Sequence, residues 1–340
     1  MATARRPWPV DRRTILRTGA ALAAVQFTSP FIIKARGETP VRIGMVDPIT
    51  GVYAAIAQSE VVGARFAAEE INKKGGIMSR PLQLIVEDSA GSPGTAIDKA
   101  KRLVAREKIN FLMGTVNSAA SLAVSQFANQ HNMLFLCTGG HVDALTGTNC
   151  QWNTFRTCST TWMLTAGDFE TLFDKFGKSW YFITTDYAFG HAEQADYEKQ
   201  LKHHGGTMAG SALAPVGTTD FSSYLIEVKA KKPKVLCLLL AGDDQVNCMK
   251  QIAQFGIDKE IAVAGALIEL EQLQSLPENA RYGWWTAEWY WKQPNTPHLD
   301  DFVKAYRAKY KGEYPSARSW FGYASTYAIK LAVERAKSLD

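Results

Sequence analysis

Short apolar runs alternate with amphipathic segments of helical length along most of the chain. The run at residues 41–46 is rich in β-branched residues and ends in a turn-like segment, which is typical of a strand. Behind it, Val61, Ala64, Ala68 and Ile71 recur at intervals of three and four residues, which predicts a helix with one apolar face. The same unit then repeats. Further strands are predicted at residues 82–87, 109–113, 133–136, 180–184, 206–212, 235–240 and 261–264, and further helices at 95–106, 118–130, 161–176, 190–203, 221–230, 245–255, 300–310 and 319–337.

Strands that alternate with helices predict parallel sheets covered by helices on both faces, because a parallel crossover needs a connection of helical length. The predicted strands are too many to form one sheet of this kind. The fold class expected is therefore α/β, with two Rossmann-like lobes. We expect lobe 1 to comprise residues 38–158 together with 287–340, and lobe 2 to comprise residues 159–286.

The charge of the chain is concentrated at its amino terminus. The formal net charge is +5, but the first 37 residues hold seven basic side chains and one acidic side chain. The remaining 303 residues therefore have a net charge of −1. A body without excess positive charge does not favour a nucleic-acid partner.

The basic amino terminus has the order of an export signal. Residues 11–17, Asp-Arg-Arg-Thr-Ile-Leu-Arg, resemble the twin-arginine export motif, and a mostly uncharged stretch follows at residues 18–33. That stretch is shorter than the roughly 20 apolar residues of a membrane span. We therefore expect residues 1–37 to be a signal segment that is removed, and the mature protein to be periplasmic. An amphipathic helix with incidental arginines is the alternative.

Candidate ligand-binding residues follow the predicted strands, because ligands of open α/β sheets bind beyond the carboxyl ends of the strands. In the first lobe these residues are Tyr53, Asn117, Ser118, Gly139, Gly140 and His141. Ser118 begins a predicted helix, where its hydroxyl and the free backbone N–H groups would favour a carboxylate, although a plain helix cap is the simpler interpretation. The glycine pair would let the backbone approach a ligand, or would only form a turn.

Residues 63–77, GARFAAEEINKKGGI, resemble the first helix and turn of the type I substrate-binding proteins of ABC transporters, in the leucine/isoleucine/valine-binding branch. The resemblance extends over nearly all of residues 40–330. Further matches occur in the same order at residues 82–88, 114–118, 144–146, 154–157, 186–190 and 219–223.

The resemblance implies two lobes joined by hinge strands. The lobes would close on a small ligand and deliver it to a permease and an ATPase subunit in the inner membrane. It implies a monomer, and it places a ligand carboxylate against Ser118, Gly139 and His141. The aromatic position of the first loop corresponds to Tyr53. On the second lobe the expected ligand-binding residues are Tyr187, Phe189, Gly242 and Leu267.

Two departures from the family pattern bear on the ligand. Branched-chain amino-acid binders hold the ligand ammonium with an acidic residue, and the matching position here is Leu267, with Glu269 and Asp243 nearby but out of register. An ammonium without a counter-charge in a closed cleft is unfavourable by several kcal/mol, which argues against an α-amino acid held in the standard way. The usual threonine is replaced by His141, which could donate to a carboxylate. We therefore expect an aromatic or apolar organic acid, with an amino acid as the alternative.

The sequence gives no support for catalysis. Six histidines occur without metal-ligand spacing, and no phosphate-binding or nucleophile motif follows a strand. We predict no cofactor, no metal and no enzymatic activity. The alternatives are a sensor of the same fold and, less favoured, an enzyme that acts on a small carboxylate or amide.

The five cysteines are not arranged as an evident disulfide framework. If residues 152–157 are extended, Cys150 and Cys158 lie roughly 26 Å apart, which is too far for a bond between them. Cys137 and Cys237 lie in or beside predicted strands and are expected to be free core thiols.

Overall fold

The computed structural model describes residues 39–339 and contains two five-stranded sheets in which the paired strands are parallel. The predicted fold class, two parallel α/β lobes, is confirmed. The predicted signal segment lies outside the described residues. The expected limits of the two lobes stay a prediction.

The first sheet is formed by the amino-terminal strands. These are β1 (Val41–Asp47), β2 (Leu82–Asp88), β3 (Phe111–Gly114), β4 (Phe135–Cys137) and β5 (Thr154–Arg156). Their order is β2-β1-β3-β4-β5, so β2 and β3 lie on opposite sides of β1. The helices between them are α1 (Ala54–Lys73), α2 (Pro93–Arg102) and α3 (Ser118–Gln130).

Both faces of the first sheet are buried. Ile43 and Met45 of β1 pack in one core cluster with the apolar stripe of α1, which includes Ala64 and Ile71. The opposite face, which includes Val46, packs in a second cluster with side chains of α2 and α3. Alternate residues of one strand therefore enter two cores, as the geometry of a strand requires.

The second sheet is formed by β6 (Ser179–Thr185), β7 (Thr207–Ala214), β8 (Val235–Leu239), β9 (Ala262–Gly265) and β10 (Trp284–Trp285). Their order is β10-β9-β8-β6-β7. The accompanying helices are α4 (Thr161–Phe176), α5 (Ala188–His203), α6 (Ser222–Lys231), α7 (Gly242–Phe255) and α8 (Leu270–Ser275). Trp180 and Phe182 enter one core cluster and Tyr181 and Ile183 enter another, so this sheet is also covered on both faces.

Two carboxyl-terminal helices, α9 (Leu299–Lys309) and α10 (Ala317–Ala336), pack on the first lobe. The ring of Phe66 in α1 lies 6.1 Å from that of Phe302 in α9 and 5.6 Å from that of Tyr323 in α10. Helices α1 and α10 cross closely, because a Cβ on Gly63 would lie 1.8 Å from the Ser319 carbonyl oxygen. This crossing determines which side chains of the two helices meet.

The structure differs from the sequence prediction mainly in short elements. The helix predicted at residues 95–106 ends at Arg102 and continues as a wider π-helical turn, Leu103–Glu107. Strand β5, helix α8 and strand β10 were not predicted, because three, six and two residues are too few to show a period. Within residues 39–339, no helix combines the length and apolar character needed to cross a membrane.

Candidate functional site

A small cavity lies where the carboxyl ends of the two sheets face each other, and the space in it that the centre of a water molecule can reach is about 20 Å³. In each sheet the chain reverses its direction of winding beside the first strand, between β1 and β3 and between β6 and β8. Such points are where open α/β sheets bind ligands. The lining residues from the first lobe are Tyr53, Ile56, Val116, Gly139, His141 and Arg318. Those from the second lobe are Tyr187, Phe189, Leu240, Ala241, Gln245, Leu267, Glu269 and Gln272.

Six of the ten predicted ligand-binding residues therefore lie together on this lining. They are Tyr53, Gly139, His141, Tyr187, Phe189 and Leu267. Each was expected from its position after a strand or from the family resemblance. Their roles in binding stay predictions, but their convergence is a finding.

Four aromatic rings form a continuous wall across the two lobes. The ring centroids of Tyr53 and Tyr187 lie 6.2 Å apart, and those of Tyr187 and Phe189 lie 6.1 Å apart. The centroid of Phe189 lies 6.0 Å from that of His141. Burial raises the pKa of Tyr53 and of Tyr187 above the usual range, so both phenols are neutral. The wall is suited to contact with an apolar or aromatic group.

Asn117 and Ser118 do not line the cavity. Asn117 caps helix α3 by accepting a hydrogen bond from the Ala120 N–H at 3.0 Å. The Ser118 hydroxyl accepts a hydrogen bond from the Val142 N–H at 3.3 Å. The expected anion site at Ser118 is therefore used, in this structure, to hold the loop that follows β4.

Gly140 and Gly242 also lie off the lining, where they permit close packing. A Cβ on Gly140 would lie 1.9 Å from the Ser121 hydroxyl oxygen. Gly242 has φ +60°, and its Cβ would lie 2.2 Å from the carbonyl oxygen of Val52 in the opposite lobe. The same carbonyl accepts a hydrogen bond from the Asp243 N–H at 3.1 Å. Gly242 is thus a contact point between the lobes.

Both ring nitrogens of His141 are engaged. Nδ1 lies 2.9 Å from the Ser159 carbonyl oxygen, which only accepts hydrogen bonds, so Nδ1 holds the proton. Nε2 then accepts a hydrogen bond from Nη2 of Arg318 at 3.0 Å. Burial, together with the charge of Arg318, lowers the pKa of His141 to about 3. The ring is neutral, and in this arrangement neither nitrogen is free to donate to a ligand as the sequence had suggested.

Arg318 is the principal residue that the sequence analysis missed. Its side chain is 3% exposed, and Nε donates to Oε1 of Glu269 at 2.6 Å. Nη1 donates to Oε1 of Glu60 at 2.9 Å and to the Gly139 carbonyl at 3.4 Å. Among the described residues that line the cavity, Arg318 is the one with a positive charge.

Buried carboxyl groups outnumber this cation. Glu60 is fully buried, and its Oε2 accepts a hydrogen bond from Thr138 at 2.5 Å. Glu288 is 1% exposed; its Oε1 accepts from the Ser159 N–H at 2.7 Å, and its Oε2 lies 3.5 Å from Nε2 of His141. Burial raises the pKa of Glu60 to about 7, and it also raises the pKa of Glu269 and Glu288.

Two glutamines hold the second-lobe side of the cavity. Gln245 donates to the Leu267 carbonyl at 2.9 Å, and Gln272 accepts from the Glu269 N–H at 3.0 Å. The two amides also bond to each other, with Gln272 as donor to Gln245. The loop after β9 is thereby fixed with Leu267 and Glu269 on the lining.

The sequence contains a signal for the two buried charged residues that the sequence analysis missed. Glu60 lies four residues before Ala64, on the buried face of α1, and Arg318 lies three residues before Phe321, on the buried face of α10. A charge on a buried helix face needs a partner. Their pairing with each other is not visible in the sequence. Within residues 39–339, no group of three or more His, Cys, Asp or Glu residues is arranged to hold a metal ion.

The fold and the cavity agree with comparisons to known proteins. The family described as "Periplasmic binding protein" matches residues 40–340. The chain is 25% identical over 337 residues to the Leu/Ile/Val-binding protein homolog 8 of Brucella suis biovar 1, which covers 95% of this chain and 81% of that protein. The protein therefore belongs to the periplasmic binding protein family, and within it to the type I, Leu/Ile/Val-binding branch that the sequence indicated.

Solved structures of periplasmic and solute-binding proteins have the same fold as this chain. A periplasmic binding protein from Burkholderia mallei superposes with a TM-score of 0.82 at 29% identity, over 88% of this chain and 80% of that one. An amino acid ABC transporter substrate-binding protein from Pseudomonas fluorescens Pf-5 gives 0.80 at 26% identity, over 89% and 81%. A solute-binding protein from R. palustris in complex with benzoate gives 0.80 at 19% identity, over 88% and 81%, and shows the shared fold.

Proposed function

We propose that the protein is the extracytoplasmic solute-binding component of an ABC importer and that it binds a small carboxylate with an aromatic or apolar body. The observation that supports this most directly is one cavity, lined by both lobes, on whose wall four aromatic rings and Arg318 lie. We further propose that the protein acts as a monomer in the periplasm, after removal of its signal segment, and delivers its ligand to a membrane permease. No catalytic role is proposed.

The two halves of the proposed ligand match the two halves of the lining. Tyr53, Tyr187 and Phe189 contact the apolar body, together with Leu240 and Leu267. Removal of apolar surface from water favours binding by roughly 25 cal/mol per Å². At the other side, Arg318 supplies the positive charge that suits a carboxylate. Four of its five N–H groups donate to Glu269, Glu60, Gly139 and His141, so one N–H of Nη2 is left for the ligand.

An α-amino acid is the second candidate, because Glu269 lies on the lining although the sequence placed it out of register. The names of the relatives also include Leu/Ile/Val-binding and amino acid transport proteins. However, Oε1 of Glu269 already accepts a hydrogen bond from Arg318, and its side chain also caps helix α8. A ligand ammonium would compete with Arg318 for this carboxylate, so we favour the organic acid.

Isothermal titration calorimetry tests the ligand class. The protein is titrated with benzoate, 4-methyl-2-oxopentanoate, benzamide and leucine. We expect one site and tighter binding of at least one of the two acids than of leucine. Binding of leucine alone would favour the amino-acid candidate, and no binding of either acid would contradict the proposal.

Variants of two phenylalanines show whether binding occurs in the cavity. Phe189 is 3% exposed and lies on the lining, whereas Phe155 is 51% exposed on β5. Phe189→Ala should weaken binding at least tenfold, while Phe155→Ala should leave it unchanged. Equal affinities of the two variants would place the ligand elsewhere.

Delivery to a permease needs a separate test. Where the genes beside this one encode permease and ATPase subunits, these are reconstituted in vesicles, and ATP hydrolysis is measured with the loaded protein. Stimulation supports import. A neighbouring sensor kinase that responds to the loaded protein, with no stimulation of the ATPase, would favour the sensor alternative.

A further inference from the structure

The guanidinium of Arg318 is already paired with acids before any ligand is present. It donates to Glu269 at 2.6 Å and to Glu60 at 2.9 Å, and the side chains of all three residues are at most 3% exposed. A third acid, Glu288, contacts His141, which itself accepts a hydrogen bond from Arg318. One cation therefore faces three buried carboxyl groups.

A ligand carboxylate would add a further negative charge to this cluster. A buried charge without compensation is strongly unfavourable, because water and mobile ions do not reach it. The net charge of the cluster stays unchanged if one of its carboxylates takes up a proton when the ligand enters. A neutral ligand of the same shape brings no charge and needs no proton.

Glu60 is the carboxyl group best placed to take this proton. It lies behind the lining, so it does not have to contact the ligand itself. Its Oε2 accepts from the Thr138 hydroxyl at 2.5 Å, and that hydroxyl can rotate and accept instead when Glu60 is protonated. Glu269, in contrast, must remain an acceptor for the cap of α8. The pKa of Glu60, raised to about 7 by burial, makes the proton available near neutral pH.

The other titratable groups around Glu60 belong to several elements. Burial and the charge of Glu60 raise the pKa of Asp47, at the end of β1, well above its usual value. Burial alone would raise the pKa of Cys137 in β4, but hydrogen bonds with Cys158 and Ser121 lower it to about 6. The remaining groups that face the cluster are the neutral ring of His141, the carboxyls of Glu269 and Glu288, and the guanidinium groups of Arg318 and Arg156.

We propose that a ligand carboxylate enters the cavity together with one proton, which Glu60 takes up, and that a neutral ligand of the same shape enters without one. This inference rests on the proposed function, because it assumes that the cavity accepts a small carboxylate. It makes Glu60 a residue that determines how strongly acids are bound at a given pH, although it does not touch the ligand.

Calorimetry in two buffers of different ionisation enthalpy measures the protons taken up. The probes are benzoate and 4-methyl-2-oxopentanoate, with benzamide as the neutral analogue, at pH 7.5. We expect about 0.5 to 1 proton per bound acid and none per benzamide. Between pH 6.5 and 8.5 the affinity for the acid should fall about 25-fold, because the free carboxyl group of Glu60 loses its proton, while the affinity for benzamide should be unchanged.

Variants assign the proton to Glu60. Glu60→Gln keeps the shape and should abolish both the proton uptake and the pH dependence. Cys137→Ser should retain them, as should the exposed control Asp98→Asn. Retention of the proton uptake and of the pH dependence in Glu60→Gln would overturn the assignment. The proton count on the unaltered protein needs no variant and tests the linkage even if a variant fails to fold.

The outcomes also separate this inference from the proposed function. Binding of an acid without proton uptake overturns the inference and leaves the proposed function intact. Failure of both acids to bind at every pH overturns the proposed ligand class and the inference with it.

Discussion

Nε of Arg318 donates to Oε1 of Glu269 across 2.6 Å, and this bond joins the last helix of the first lobe to the loop after β9 in the second. Because Glu60 of α1 holds the same guanidinium, three separate elements meet at one buried cation. The contact belongs at once to the wall of the cavity and to the interface of the lobes. A change in this cluster should therefore affect both stability and binding.

Removal of the cation should be strongly destabilising. Arg318→Met leaves Glu60 and Glu269 buried without their partner, and we expect the free energy of unfolding to fall by about 3 to 5 kcal/mol. Urea denaturation measures this change. Adding Glu60→Gln and Glu269→Gln to Arg318→Met should recover part of the loss, since the unpaired charges are removed. A loss below about 1 kcal/mol for Arg318→Met would show that the carboxyls do not depend on it.

Gly242 should control closure of the lobes. In Gly242→Ala the new Cβ would lie 2.2 Å from the Val52 carbonyl oxygen, so the closed arrangement is blocked. Gly256 is a matched control, because its φ of +67° is close to the +60° of Gly242 and a Cβ there meets nothing within 4 Å. Both alanines bear the same left-handed backbone strain of roughly 1 kcal/mol.

The two glycine variants are compared by small-angle X-ray scattering and by ligand titration. Gly242→Ala should increase the radius of gyration and weaken binding at least tenfold, whereas Gly256→Ala should change neither. If the two variants bind alike, the Gly242 contact is not needed for closure.

Asp168 should make the protein less stable as the pH rises. Burial raises its pKa to about 7, and its Oδ1 accepts from the Tyr197 hydroxyl at 2.8 Å. The folded state therefore keeps this proton at pH values where the unfolded chain releases it. The contribution of Asp168 to the free energy of unfolding is fully present below about pH 4 and is lost as the pH rises to about 7.

Asp168→Asn removes the titration and preserves the shape. Relative to the variant, the unaltered protein should lose roughly 1 kcal/mol of unfolding free energy per pH unit between pH 5 and 6.5. Urea denaturation at pH 5, 6 and 7 measures the difference. Parallel pH profiles for the two proteins would mean that the carboxyl titrates normally in the folded state.

The thiols should react in two classes. All five cysteines lie in the described part of the chain and are free; Cys150 is exposed, and the other four, Cys137, Cys158, Cys237 and Cys248, are buried. A disulfide-exchange reagent should therefore react rapidly with one thiol in the folded protein and with five after unfolding. Only three reactive thiols in the unfolded protein would indicate a disulfide.

The sequence predicted the fold because most strands and most helices are long enough to show their period. It also predicted Tyr53, Tyr187 and Phe189 on the cavity, because the position after a strand determines where such residues lie in a parallel sheet. These predictions rest on local spacing and on family resemblance, both of which are present in the linear order of residues.

The charged part of the site could not be predicted in this way. Glu60 and Arg318 are 258 positions apart and meet because Gly63 and Gly322 allow α1 and α10 to touch. For Ser118 the position was predicted but the contact was not. It begins α3, as predicted, but its hydroxyl accepts a hydrogen bond from the Val142 N–H, which the spacing of residues does not reveal.

The most direct test of the proposed site is a crystal structure of the protein grown with the acid that binds most tightly in the calorimetric series. We expect the ligand in the cavity between the lobes, its carboxylate within hydrogen-bond distance of Arg318 and its apolar body against Phe189 and Tyr187. A carboxylate bound at the start of α3 with Arg318 still held only by its glutamates, or a ligand outside the cavity, would contradict the account.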